Sequence, residues 1–254
     1  MISSAEQETR GVLYVAAGRD HIRRALRAAA SVRRHNPSLA IHLFADWEAH
    51  GFDFGGKPGP FTSWENITDP HRRSKVDYLP ETPFVRTLYL DTDTRVLCPL
   101  DDLFRLLERF DIGLAHGPKR ARGEMLSPIR IPVPAAFGRF NGGVILYRSN
   151  EATLALLREW QVWFHEENLR WDQRTLREVL WASDIRLATL PPEYNIRRFK
   201  YVLFWSRDEA RPKILHLHYF KRGLWTYVEQ WWGTVMRRTR RRLGRLRAGM
   251  SHGR

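Results

Sequence analysis

Two acids separated by one residue close an apolar run, Arg86–Asp91 (RTLYLD), in the order Asp91-Thr92-Asp93. In an extended backbone residues i and i+2 face the same side. Both carboxylates therefore reach one cation while Thr92 turns away. Carboxylate oxygens are hard ligands and favour Mg²⁺ or Mn²⁺ over Zn²⁺. A cation held there and bridged to a diphosphate neutralises the charge that builds on a departing nucleoside diphosphate. Near the carboxyl end, His216 and His218 are again two apart in an apolar run, Ile214–Tyr219 (ILHLHY). An imidazole added to two carboxylates suits Mn²⁺, and either histidine fits that role; the apolar-apolar-His register favours His216. Asn141 offers a donor and an acceptor to a ligand hydroxyl. Gly142 and Gly143 remove side chains where a ligand or a second backbone approaches closely, or mark a bulge at a strand start. Asp172, ahead of a helical pattern and followed by Gln173, reads as an N-cap or as a carboxylate aimed at a ligand.

These residues need a scaffold, and the chain supplies one. Gly11–Ala17 (GVLYVAA) is a short β-branched and aromatic run that predicts a buried first strand. Asp20 is placed to cap the following helix, which carries Ile22, Leu26, Ala29 and Ala30 on one face and stops at Asn36-Pro37. Ala40–Ala45 predicts a second strand ending at Asp46, and this β-α-β order implies parallel strands with a right-handed connection. Gly51–Pro60 reads as a loop. Arg86–Asp91, Asp111–Ala115, Val144–Tyr147, Ile185–Leu190 and Lys213–His218 predict further strands. A helix with Leu103, Leu106 and Leu107 turned inward falls within Leu97–Phe110. Two more are expected over Glu151–His165 and Asp172–Trp181. Gly117–Phe137, with its prolines and basic side chains, reads as a long surface loop of the kind that covers substrates. The fold class is thus α/β, a mostly parallel central sheet with helices on both faces, whose ligands gather at the carboxyl ends of the strands.

The 254 residues suffice for one full core, and 43% hydrophobic with 12% aromatic residues rule out a disordered chain. Cys98 is the only cysteine, which fits a reducing compartment. No apolar run approaches the roughly 20 residues that span a bilayer, and Met1–Arg10 lacks the apolar centre of a signal peptide. A cytoplasmic protein, soluble or peripherally attached, is expected. Net charge is +14, yet Gln230–Arg254 holds eight arginines and no acid, leaving +6 for the rest. The basic excess is a tail property, so nucleic-acid binding is not expected of the fold. Leu224, Val228, Trp231, Val235, Leu243 and Leu246 follow helical spacing opposite the arginines. That pattern predicts a basic amphipathic helix over residues 227–254, after a catalytic domain over 1–226, able to lie on an anionic membrane surface at the inner face of the cell membrane.

Taken together, Arg86–Val96 (RTLYLDTDTRV) resembles the "YLDxDxxV" segment of glycosyltransferases with the A-type nucleotide-sugar fold, the glycogenin-like group in particular. Other segments match in order: Phe140–Val144 the "FNxGV" signature, Trp171-Asp172-Gln173 the "DQ" motif, Leu190–Asn195 (LPPEYN) the "LPxxYN" segment, and Ile214–Tyr219 the strand that supplies a third metal ligand. The resemblance covers about Gly11 to Trp225. It implies that Ala16 and Ala17, at the first strand's end, contact the nucleotide. It likewise implies that Asp46 touches the base or ribose, that Lys75 contacts the donor, and that Asp91, Thr92 and Asp93 meet the metal and donor together with His216 or His218. Asn141, Asp172 and Gln173 then position the sugar, Gly142 and Gly143 line the donor site, and Lys221 or Arg222 meets the diphosphate. The donor is expected to be UDP-linked, the cofactor Mn²⁺ or Mg²⁺, and the acceptor a glycan or lipid-linked hydroxyl, with retention of configuration. Two departures are visible. Arg174 and Arg177 stand at later positions of the fuller "DQDxxN" motif, and Gly223-Leu224-Trp225 replaces "KPW". Rival readings are a sugar nucleotidyltransferase, for which Ala16-Ala17-Gly18-Arg19 is a meagre phosphate loop, and a nucleic-acid-binding protein, which leaves the ordered motifs unexplained.

Overall fold

A computed structural model describes residues 9–52, 59–118, 123, 126–169, 171–198 and 211–217. His218, Lys221 and the basic helix expected over 227–254 lie outside the described residues.

Among the described residues, nine strands and five α-helices follow one another: β1 (Arg10–Ala16), α1 (Arg19–His35), β2 (Ala40–Ala45), β3 (Ser63–Asn66), α2 (Lys75–Tyr78), β4 (Arg86–Leu90), β5 (Thr94–Val96), α3 (Asp101–Arg105), β6 (Ile112–His116), β7 (Phe140–Arg148), α4 (Glu151–Glu166), α5 (Gln173–Ala182), β8 (Leu187–Thr189) and β9 (Ile214–His216). Seven strands form one sheet in the order β3-β2-β1-β4-β7-β6-β8. Within it only β7 runs antiparallel to its neighbours β4 and β6. No helix is described between β6 and β7, and an antiparallel pair needs no helical crossover.

Strand alternation divides the core into two layers. Val12 and Tyr14 of β1, Leu88 and Leu90 of β4, and Val144 and Leu146 of β7 face α1 and α3, while Leu13, Tyr89, Ile145 and Tyr147 face α2, α4 and α5. These strands are covered on both faces, which explains why they read as continuous apolar runs. Helix α4 starts on Asn150, whose side chain accepts the Thr153 N–H at 2.9 Å.

Several boundaries differ from the expectations. Asp20 sits inside the first turn of α1 and Gly18 occupies the N-cap with φ 94°, a left-handed value that favours glycine. The Gly18 N–H is taken by the Asp46 carboxylate, 2.8 and 3.0 Å from its two oxygens, and this fixes where the helix begins. The expected helix after Leu97 is only Asp101–Arg105 plus a short 3₁₀ turn, with Leu103 and Leu107 buried and Leu106 partly so. Gly142 and Gly143 lie within β7, where its register with β6 shifts between the Leu114–Ile145 and His116–Phe140 pairs, which fits the bulge reading.

At the β6–β8 edge, Asp111 accepts a bidentate pair from Arg186 Nε and Nη2 at 2.8 and 2.7 Å and a third bond from Asn150 at 2.8 Å. The Arg186 hydrogen bond, foremost, holds its carboxyl down to about 2. A depressed carboxyl stabilises fully above its unfolded value near 4 and stops doing so as pH falls through the folded one. The stability gap between wild type and Asp111→Asn, measured by urea unfolding, is therefore expected to shrink as pH drops from about 4 toward 2. A gap independent of pH would refute this.

Candidate metal and donor site

Parallel strands β1, β2 and β4 end together, and the acids stand at that edge. The Asp91 N–H donates to the Gly143 carbonyl at 2.9 Å, and the Thr94 N–H (3.1 Å) and Oγ1 (2.8 Å) both donate to the Asp91 carbonyl. This tight turn sends the chain back as β5, which pairs antiparallel with β9 so that Thr94 faces His216. Asp91, Asp93 and His216 consequently each offer a ligand atom, all within 4.8 Å of one another. His216 Nε2 lies 3.2 Å from Asp93 Oδ1 and 3.4 Å from Asp91 Oδ2. His216 stands beside the acids, and His218 lies outside the described residues. Thr92 is buried and turned aside, its Oγ1 3.4 Å from His21 Nδ1.

A chain of amides orients that imidazole. His216 Nδ1 is 2.8 Å from Asn195 Oδ1, and Asn195 Nδ2 donates to Asn141 Oδ1 at 2.9 Å. An acceptor on Nδ1 fixes the N–H there and leaves the Nε2 lone pair toward the acids, as an outer partner does for a metal-binding histidine. The Asn141 oxygen also receives the Gly143 N–H at 3.3 Å, so this atom is committed to the protein. Arg197 Nη1 is hydrogen-bonded to His216 Nε2. Neither Asn195 nor Arg197 stood among the predicted site residues. Asn195 had a signal in its motif, and Arg197 had none.

Lys75 starts α2 and is buried; its Nζ donates to the Gly142 carbonyl at 2.6 Å. It stands 3.1 Å from Asp172 Oδ2 and 3.4 Å from Asp91 Oδ1. Burial pulls the ammonium down, but Asp172 and Asp91 together raise it above its ordinary value. For Asp91, burial pushes up, while the Lys75 charge, His216 and the Tyr89 hydroxyl (2.7 Å) outweigh it and hold the carboxyl well below the usual range. The pair thus stays ionised at neutral pH. Asp172 makes no side-chain capping bond to α5; its carboxylate turns to Lys75 and to Arg73 Nε at 3.6 Å. Gln173, half-buried, follows as the first residue of the helix. Lys75→Met removes the cation between half-buried Asp91 and buried Asp172 and is expected to destabilise the fold by about 3 kcal/mol, read as a lower urea midpoint; an unchanged midpoint would reject the bridging role.

The glycines fit a crowded centre. A Cβ on Gly143 would sit 2.0 Å from His216 Cε1 and 2.6 Å from Asp91 Oδ2, whereas one on Gly142 would meet Lys75 Nζ at 3.4 Å. Two carboxylates and one imidazole held by second partners, around a position where even a methyl cannot fit, match the donor set of a Mn²⁺- or Mg²⁺-type cation.

Beside this centre lie buried Ala16, half-buried Ala17 and the buried Asp46, whose Oδ2 is also 3.1 Å from His50 Nε2. The Thr92–His21 contact joins this edge to the acidic turn. On the other flank, α5 fastens the long loop. Arg177, wholly buried, donates to the carbonyls of Phe137, Val133 and Pro134 (2.8–3.1 Å), and Glu178 accepts the N–H groups of Ile129 and Arg130 at 2.6 and 2.8 Å. Arg174 Nη2 donates to the Ser127 carbonyl at 2.8 Å. Both arginines that break the family motif therefore hold the loop. A second group, His71, Asp77 and His165, ties α2 to α4.

With these features in view, the fold is that of A-type nucleotide-sugar glycosyltransferases. The galactosyltransferase LgtC, solved in complex with donor and acceptor sugar analogs, matches at 15% identity over 82% of this chain and 87% of its own, with a TM-score of 0.61. GlyE of Streptococcus pneumoniae TIGR4 matches at 22% identity over 82% of this chain and 55% of its own (TM-score 0.53). Mouse xyloside xylosyltransferase 1 does so at 14% over 82% and 97% (0.53). No curated protein matches by sequence. Residues 85–224 match the nucleotide-diphospho-sugar transferase family model. The chain belongs to that family and is a glycosyltransferase that takes a nucleotide-diphospho-sugar donor. Among the described residues no helix is long and apolar enough to cross a membrane.

Proposed function

We propose that this enzyme transfers a sugar from a UDP-linked donor to a hydroxyl of a glycan or lipid-linked acceptor, using Mn²⁺ or Mg²⁺ held by Asp91, Asp93 and His216. The observation that carries the reading is the convergence of those three ligand atoms within 4.8 Å at the strand ends. Bound there, the cation supplies charge neutralisation for the departing nucleoside diphosphate. The protein's own residues do the rest. Asn195 and Asn141 keep the His216 lone pair aimed at the acids. Lys75 holds Asp91 ionised and grips Asp172 at 3.1 Å, so that Asp172 presents a fixed carboxylate toward the sugar with Gln173 beside it. Gly143 leaves room for the His216 ring against β7, and Gly142 lets the donor approach beside Lys75 and Asp172. Ala16, Ala17 and Asp46 flank the nucleoside, and Lys221, from the sequence pattern, meets phosphate. His218 remains an alternative ligand on that pattern alone. Retention of configuration follows from the glycogenin-like resemblance.

Thermal-shift screening of nucleotide-sugars with Mn²⁺ tests the donor, since a ligand at about 100 times its Kd stabilises the folded state by about 2.7 kcal/mol. Product analysis tests the reaction: free nucleoside diphosphate supports transfer, and pyrophosphate would turn the assignment to a nucleotidyltransferase. The basic segment 227–254 supports reversible attachment to anionic membranes. Co-sedimentation of the full chain with anionic but not neutral liposomes is expected, and equal recovery with both would remove that element.

A further inference from the structure

Two cations claim one lone pair. The Nδ1–H of His216 is given to Asn195, so Nε2 carries the ring's single acceptor site. That site faces Asp91 and Asp93 at 3.4 and 3.2 Å, and the Arg197 guanidinium already donates to it. Arg197 is partly buried and feels both carboxylates, which oppose the effect of burial on its charge. Its backbone is held in place as well, because the neighbouring Ile196 N–H donates to the Ile214 carbonyl at 3.0 Å and the Ile196 carbonyl accepts the His216 N–H at 2.9 Å.

We propose that Arg197 is the resident counter-cation of the Asp91–Asp93–His216 centre and competes with the divalent ion for it. This rests on the metal-site reading given above. Lys75 already stands 3.4 Å from Asp91, but buried Asp93 and the lone pair of buried His216 also face one another, and buried charge left unbalanced is costly. The guanidinium offsets that charge. A divalent ion can take Nε2 only when Nη1 withdraws, since one lone pair serves one partner. The affinity of the centre for the ion alone is therefore held below what its donor set would give, and an anion arriving with the ion gives the displaced guanidinium a new partner.

The full chain is titrated with Mn²⁺ alone, following the solution EPR signal of the unbound ion. Arg197→Met is expected to bind Mn²⁺ about tenfold more tightly than wild type, the scale on which one neighbouring charge shifts an equilibrium. In Arg197→Ala the same gain is expected, and guanidinium ion at non-denaturing concentration should return the affinity toward wild type, which a merely structural role would not produce. Circular dichroism confirms folding, with Arg197→Gln as the replacement if either variant unfolds. Unchanged or weaker Mn²⁺ binding in the folded variants overturns the proposal. Asp93→Ala separates the two ideas. If it loses Mn²⁺ while Arg197→Met gains nothing, only the competition fails. If it binds Mn²⁺ as wild type does, the metal site itself fails and the competition with it.

Discussion

Asp93→Ala is expected to lower turnover by about a thousandfold or more while leaving the thermal midpoint near that of wild type. Asp93 supplies one of two carboxylates facing His216 Nε2, 3.2 Å away. Removing it halves the negative charge available to a divalent ion. Lewis-acid stabilisation of a leaving group is worth several kcal/mol, and each 1.36 kcal/mol is about tenfold in rate. Asp93→Asn, which keeps the shape and removes the charge, should fall nearly as far. The measurement is nucleoside diphosphate release with a verified donor. Turnover within about threefold of wild type in Asp93→Ala would reject the proposed metal role.

Gly143→Ala is expected to come next, with turnover and Mn²⁺ affinity both reduced at least about a hundredfold. Its Cβ would stand 2.0 Å from His216 Cε1 and 2.8 Å from Nδ1, far inside ordinary contact, where atoms separate by about 3.5 Å. The backbone is held on the β4 side, where the Asp91 N–H donates to the Gly143 carbonyl at 2.9 Å and Val144 pairs with Leu90. The imidazole must leave the acids instead. Overpacking of this kind also costs about 1–3 kcal/mol of stability. Gly142→Ala is the internal comparison, since its Cβ would approach nothing closer than 3.4 Å; a larger loss at Gly142 than at Gly143 would contradict the geometry.

Much of this centre was legible in the residues. The strands that carry it are buried on both faces and therefore spell apolar runs, so β1, β2, β4 and β7 read clearly, and the Asp-Thr-Asp spacing put both acids on one side. β3 (SWEN) and β5 (TRV) escaped because they are short and polar, with no alternation long enough to register. Missing β5 mattered most: its pairing with β9 is what places His216 against Asp93. The helix cap was misjudged because Asp20 has the right chemistry for the position, while the Gly18 N–H is claimed by Asp46, 28 residues away. Arg174 and Arg177 looked like gaps in a motif. Their partners are loop carbonyls, a relation that spacing along one helix does not encode. Arg197 carried no local signal, since its part depends on a register between segments distant in sequence.

Under the proposed metal role, the β5–β9 pair would also govern when the protein becomes competent during its own synthesis. Asp91 and Asp93 leave the ribosome well before β7 and long before Ile214–His216, and they have no third ligand until that last described strand docks beside Thr94. A chain interrupted ahead of Ile214 already contains every strand of the seven-membered sheet. On that proposal it would nevertheless lack the imidazole that closes the centre, and chemistry would be deferred until translation has passed the sheet altogether.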